Sequence, residues 1–470
     1  MRTRTLAAVS AAIIGCLTVP HAATAQAAAA DQSVASRVDS IAAAALSSTG
    51  VPSASVAIVR HGRIVYAHAY GSAKLSPTVP ASAGMLYGVG SISKQFTAAT
   101  VLLLQQEGKL SLDDPVSRFV PALTRGDEVT IRQLLSHTSG YEDYWPQDYV
   151  PPWMEKPITA QGIADRWAKE PLNFDPGTRW EYSNTNFVIA ALIVQKVSGM
   201  PFFQFLHSRI LTPLGMSSAI DFDALGPSAI QPTGYMRYAL GPLRPATPTG
   251  PGWIGGAGEL AMTASDLAKW DISIIDQSLL TPASYRAMET TMLLRNGVST
   301  DYGFGVDVGM LNGHRTVSHS GEVAGFTAEN MVFPDDSAAV VVLTNQDAAP
   351  ASGLIANEIA RTLFTTQDAA TDTRTELARR IFAGLQTGKI DRSLFTEDAN
   401  AYFNSRAIGD FAASLGPLGA PSSFVQISQE NRGGMIERSY RVQFPARVLH
   451  VWTYEMPDGK LEQYQVAPMG

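Results

Sequence analysis

The chain has 470 residues, more than one compact domain usually holds, and its 45% hydrophobic and 16% charged content suits a protein that buries a full core. A formal charge of −7, with no basic run, argues against nucleic acid or an anionic membrane as the main partner. A single cysteine, Cys16, excludes a disulfide framework.

At the N-terminus, Arg2 and Arg4 precede an apolar run from Leu6 to Val19, and Ala23-Thr24-Ala25 places small residues before Gln26. This predicts a signal peptide over residues 1–25, because the run is too short for a span and no stop-transfer pattern follows. Ile13-Ile14-Gly15-Cys16 loosely fits a lipoprotein box, but the apolar run continues past the cysteine to Val19, which favours ordinary cleavage. Cleavage after Ala25 leaves 33 basic against 42 acidic residues and no cysteine. The exported chain, periplasmic or secreted, would then be neither a thiol enzyme nor a cysteine-ligated metalloprotein, and no transmembrane span is expected in it.

Asp31 to Ser48 reads as an amphipathic helix stopped by Gly50, followed by strands Ser53 to Arg60 and Arg63 to Tyr70 joined at His61-Gly62. The stretch from Ser91 to Gln277 is mostly helical. Strands return at Gly303 to Val308, Arg315 to His319, Phe326 to Phe333 and Ala338 to Thr344, and a helix covers Ala351 to Phe364. This order predicts an α+β fold, with an antiparallel sheet closed by both ends of the chain. Terminal helices would cover one face and a large helical insertion the other, leaving a groove between sheet and insertion. The polar stretch Thr365 to Thr373 predicts a boundary between a larger domain (31–365) and a small α+β domain (374–470). The latter has helices near Glu376 to Gln386 and Ala407 to Leu415, then four strands.

Three motifs carry chemistry. Ser91 and Lys94, in Tyr-Gly-Val-Gly-Ser-Ile-Ser-Lys (87–94), open an apolar helix and stack amine over hydroxyl at its N-terminus. A serine needs a neighbouring base, and this spacing supplies one without a histidine. About ninety residues on, Tyr182-Ser183-Asn184 offers a phenol whose ionised form Lys94 would stabilise, and an amide able to donate and accept. His319-Ser320-Gly321 ends a predicted strand: Gly321 would let substrate backbone lie close, and the Glu322 N–H with that of Ser91 would form an oxyanion hole. His319 would donate to the leaving side of the substrate or to a carboxylate, although a lone strand histidine is more often structural. If its charge matters, activity should vary between about pH 5 and 8.

In this order the three motifs resemble those of the penicillin-recognising serine hydrolases, in particular the class C β-lactamase-like branch that includes D,D-carboxypeptidases, D-aminopeptidases and esterases. Ile131 to Gly140, Phe174 to Tyr182, Pro213-Leu214-Gly215-Met216 and Gly255 to Lys269 resemble further landmarks of that family, so the likeness covers residues 31 to 365. It implies that Ser91 is acylated, that Lys94 and Tyr182 act as a pair in proton transfer, and that Asn184 binds the acyl-side amide. It also implies no cofactor or metal. Class C β-lactamases carry lysine where His319 stands, and a neutral histidine suits a β-lactam carboxylate less. The expected function is therefore an exported peptidase of the D,D-carboxypeptidase or D-aminopeptidase type, acting on a peptide such as a peptidoglycan stem. A β-lactamase or small-ester esterase is the alternative, and a catalytically idle wall-peptide-binding protein a third reading.

Other signals are weaker. His137, in Ser-His-Thr-Ser-Gly, reads as part of a structural turn. Gly256-Ala257-Gly258-Glu259-Leu260-Ala261 follows a Pro/Gly loop, not the strand a dinucleotide site needs. The aromatic loop from Tyr141 to Trp153 fits a groove wall and plain packing equally well.

Overall fold

The computed structural model describes residues 21–145, 150–224, 231–364, 371–432 and 434–469. Most of the predicted signal peptide, with Cys16, lies outside the described residues, as do residues 365–370 of the predicted boundary.

Helix α1 (His21–Thr49) starts well ahead of the expected Asp31 and stops at Gly50, which takes φ +74°. Strands β1 (Ser53–Arg60) and β2 (Arg63–Leu75) form the first hairpin. Its turn, His61-Gly62, has both residues at positive φ, the geometry that matches strand twist. With β3 (Thr78–Pro80), β4 (Asp307–Leu311), β5 (His314–Val323), β6 (Phe326–Phe333) and β7 (Ala338–Thr344), they make one antiparallel sheet in the order β3-β2-β1-β7-β6-β5-β4. The first and last thirds of the domain therefore meet at the β1–β7 pair, Val56 opposite Val342.

Side-chain alternation divides the sheet into two apolar faces. Val56, Ile58, Val340 and Val342 pack against Val38, Ile355 and Ile359 of the terminal helices α1 and α5 (Ala351–Phe364). Ala57, Val59, Val341 and Leu343 face the helical insertion, whose main elements are α2 (Ser93–Gln106), α3 (Asn184–Ser198) and α4 (Ala264–Asp276). A buried polar chain ties α2 to the sheet: Trp270 Nε1 donates to Gln95 Oε1 (2.6 Å), Gln95 Nε2 to Asn330 Oδ1 (2.8 Å), and Asn330 Nδ2 to Asp271 Oδ1 (2.8 Å). Gln95 follows the lysine of the first motif, so this chain fixes where that lysine sits.

The strand expected at Gly303 to Val308 is displaced to Asp307–Leu311. A Cβ on Gly303 would meet Met288 O at 2.1 Å, and Gly305, at φ +71°, lies against the Lys94 backbone. That glycine-rich stretch crosses other backbone closely instead of pairing. Downstream, helix α6 (Thr371–Gln386) packs on a second antiparallel sheet of β8 (Ser423–Arg432), β9 (Met435–Phe444), β10 (Arg447–Glu455) and β11 (Leu461–Pro468). Phe382, Leu385, Tyr440, Val451 and Tyr464 belong to its own core.

Candidate active site

Ser91 sits in a single 3₁₀ turn, Gly90–Ile92, that leads directly into α2. One turn on, the fully buried Lys94 places Nζ 2.9 Å from Ser91 Oγ, 2.8 Å from Asn184 Oδ1 and 2.7 Å from Ala257 O. Burial pulls the ammonium pKa down to about 7, against the partial support of the Asp143 charge. As a neutral amine, Lys94 gives its two N–H groups to Asn184 Oδ1 and Ala257 O, and its lone pair then faces Ser91 Oγ.

Tyr182 donates its hydroxyl to Ser91 Oγ at 2.8 Å from the other side. Burial pushes this phenol up, beyond the help of the Ser91 hydrogen bond, so it remains protonated at neutral pH. His137 holds the tyrosine in place: its ring lies 4.3 Å from the Tyr182 ring, and its Nδ1 accepts from Ser183 N at 3.1 Å. Asn184 opens α3, and Asp143 takes its backbone N–H (3.0 Å) and its Nδ2 (3.2 Å). The carboxylate thus satisfies a helix-end donor and fixes the amide so that Oδ1 faces Lys94.

The edge of β5 forms the other wall. A Cβ on Gly321 would lie 1.9 Å from Val89 O and 3.3 Å from Ser91 N, and one on Gly90 would lie 2.5 Å from Glu322 N. The glycine expected to admit substrate backbone instead admits the protein's own chain beside Ser91, which brings the Ser91 and Glu322 amides to the same wall. His319 also differs from expectation. Its Nδ1 is 2.5 Å from Ser320 O, an acceptor only, so Nδ1 carries the proton; Nε2 then accepts from Tyr302 O–H at 2.9 Å. Burial and the nearby Lys94 lower its pKa to about 4. Both ring nitrogens are occupied and the ring is neutral from pH 5 to 8, so the expected donation to substrate, and the expected titration in that window, do not fit this geometry.

Two cavities open at Ser91. A small one of about 160 Å³ is lined by Tyr144, Trp145, Asn184, Glu322 and Asp347; a larger cleft of about 870 Å³ runs past Trp180, Tyr302 and His319 toward the start of α5. The aromatic loop does both things weighed for it: Tyr144 packs with Met154, Ile163 and Trp253, and Tyr144 and Trp145 also wall the small pocket. Ala257, Asp143 and Tyr302 escaped the sequence reading. The glycine-rich segment set aside as a nucleotide mimic supplies the carbonyl that holds Lys94. Among the described residues, no group of three or more His, Cys, Asp or Glu side chains is placed to hold a metal, and no single helix is long and apolar enough to cross a membrane.

A buried lysine and a phenol converging on one serine hydroxyl, beside a sheet closed by strands from both ends of the domain, define a serine hydrolase. The chain belongs to the Beta-lactamase family, which it matches over residues 32–363. It is 31% identical over 312 residues to penicillin-binding protein 4* of Bacillus subtilis (strain 168), covering 61% of this chain and 66% of that one. It is 28% identical over 304 residues to the D-aminopeptidase of Brucella anthropi, covering 63% of this chain and 56% of that one. The chain therefore spans just under two thirds of the first relative and little over half of the second. The octameric penicillin-binding protein homologue from Pyrococcus abyssi superposes with a TM-score of 0.63 at 22% identity, covering 93% of this chain and 96% of that one, a likeness of fold.

Proposed function

We propose that the protein is an exported hydrolase that cleaves amides of D-amino acids through an acyl-enzyme on Ser91, with Lys94 as base and Tyr182 as acid. The observation that carries this is the three-way contact at Ser91 Oγ, with Lys94 Nζ at 2.9 Å and the Tyr182 hydroxyl at 2.8 Å. Neutral Lys94 takes the hydroxyl proton as Oγ attacks the substrate carbonyl, and the carbonyl oxygen becomes an oxyanion facing the Ser91 and Glu322 N–H groups. As the C–N bond breaks, Tyr182 gives its proton to the leaving amine and regains one from Lys94. Water then repeats the sequence on the ester, its proton passing to Lys94, and Ser91 leaves as the hydroxyl. The chemistry calls for no metal or cofactor.

The substrate side rests on the two cavities and on the relatives. Asn184, whose Nδ2 is held by both Asp143 oxygens at 3.2 Å, lines the small pocket where the acyl side of a substrate would lie. The small pocket beside it carries the carboxylates of Glu322 and Asp347, which suit the ammonium of a free D-amino-acyl group. Neutral His319 offers no counter-charge to a terminal carboxylate. These features favour a D-aminopeptidase-like reaction over a D,D-carboxypeptidase or β-lactamase, in keeping with the D-aminopeptidase relative. A peptidoglycan stem fragment is the natural substrate class in an exported setting.

The test is hydrolysis of D-alanine p-nitroanilide, with intact-mass measurement after penicillin and with Ser91→Ala alongside. Turnover of the D isomer but not the L isomer, abolished by Ser91→Ala, is expected. Penicillin consumed with no adduct points instead to a β-lactamase, and a persistent Ser91 adduct without anilide turnover to a carboxypeptidase. Activity unchanged in Ser91→Ala removes the acyl-enzyme altogether.

A further inference from the structure

We propose that the leaving-group half of the cleft selects cationic amines over carboxylate-terminated ones, with Asp307 and Glu329 as the specificity-determining residues. The inference rests on the amide-hydrolase reading for its substrate chemistry. The cleft itself is fixed by Ser91, Tyr182 and His319, so the two carboxylates set its charge and not its existence. Strand β4 pairs with β5 only as far as Asp307 opposite Ser318, which leaves the β5 edge beyond it open to the cleft. Glu329, on β6, stands opposite Ser320 of β5, so alternation puts both carboxylates on one face of the sheet, the face toward α5, and both line the cleft that opens at Ser91. Among the described residues, neither carboxylate has a hydrogen-bond or ion-pair partner.

Nothing else lining the cleft offsets them. Arg361 is its only lysine or arginine among the described residues, and it pairs with Glu358 at 3.5 Å. The N-terminal turn of α5 also faces the cleft and would draw an anion. Glu329 already occupies that place, its Oε2 3.8 Å from where a Cβ on Gly353 would lie. His319, where a lysine would anchor a carboxylate, is neutral. Trp180 and Tyr302, with ring centroids 5.8 Å apart, add aromatic surface on which a cation rests favourably.

The experiment compares D-alanyl amides of three leaving amines of similar length: 1,4-diaminobutane (cationic), butylamine (neutral) and 4-aminobutanoate (anionic). The assay is run at pH 8, because its own burial and then the charge of Asp307 push Glu329 up to about 7. The kcat/KM of the cationic amide should exceed that of the anionic one by roughly tenfold at low salt, and the ratio should shrink as salt rises. In Asp307→Asn/Glu329→Gln the ratio should fall toward one; because it is internal to each preparation, partial misfolding does not mimic the result. A wild-type ratio near or below one, or a ratio unchanged in the double variant, overturns the inference. Acetyl thioesters of thiocholine, its neutral carbon isostere and 3-mercaptopropionate repeat the measurement with no amino-acyl group. Thioester turnover in the expected order, without turnover of any D-alanyl amide, would sink the acyl-side reading and leave the leaving-group inference standing.

Discussion

In the proposed mechanism Lys94 can serve as a base only because the fold buries it, and burial is what brings its pKa from the usual lysine range to about 7. The direction of the pH dependence follows. Below pH 7 the ammonium has no lone pair for the Ser91 proton, so kcat/KM on a neutral ester should fall about tenfold per pH unit. Above pH 7 it should be level. A profile flat from pH 5.5 to 8.5 would mean that the charged lysine is the working form and that Tyr182 takes the first proton. At this scale the sequence was legible where a residue's type is its chemistry, as for Ser91, Lys94, Tyr182 and Asn184. It was silent on Ala257, whose contribution is a backbone carbonyl that any residue could present, and on Asp143, which matters only through the helix end it meets. His319 was noticed, but its partner Tyr302 lies on a separate segment, and that partner turns a donor to substrate into a braced, neutral ring.

Between elements, the site depends on how closely β5 approaches the turn before α2. Gly321 faces the backbone of Val89 and Ser91 there, Gly90 faces that of Glu322, and no side chain fits between. Gly321→Ala should push the strand edge away from Ser91 and spoil the oxyanion hole while the sheet, paired through Val317–Val332 and Val323–Phe326, stays intact. The expected result is a loss of about 10²–10³ in kcat with unchanged far-ultraviolet circular dichroism. An alanine variant within a few-fold of wild type would show that the Glu322 N–H is not part of the hole. The strands and helix at Phe326–Phe333, Ala338–Thr344 and Ala351–Phe364 were readable because apolar runs, turn residues and helical period agree there. The displaced strand at Asp307–Leu311 was not, because Gly303 and Gly305 answer to remote backbone, Met288 and Lys94, which no local pattern reveals.

Across the whole molecule there are two kinds of packing. The family-matched region closes its sheet with the two ends of residues 32–363 and, among the described residues, shares none of its buried clusters with the C-terminal sheet. The two units nevertheless come together beside the cleft. Glu358 and Arg361 line its far end and also line a cavity of about 560 Å³ with Ile427, Arg441 and Val448 of the C-terminal sheet. Ending the chain after Phe364 should therefore leave a folded domain, because each core keeps all of its own contacts. Its kcat/KM on a small acetyl thioester should stay within about threefold of the full chain, since Ser91, Lys94 and Tyr182 draw only on the first unit. Peptides whose leaving portion extends to Arg361 should lose more, because Glu358 and Arg361 lose the C-terminal residues with which they share the neighbouring cavity. Parallel measurement on short and extended substrates separates the outcomes. Equal losses on both would mean that the C-terminal unit acts on the catalytic centre itself, and no loss on either would confine it to a part outside the reaction.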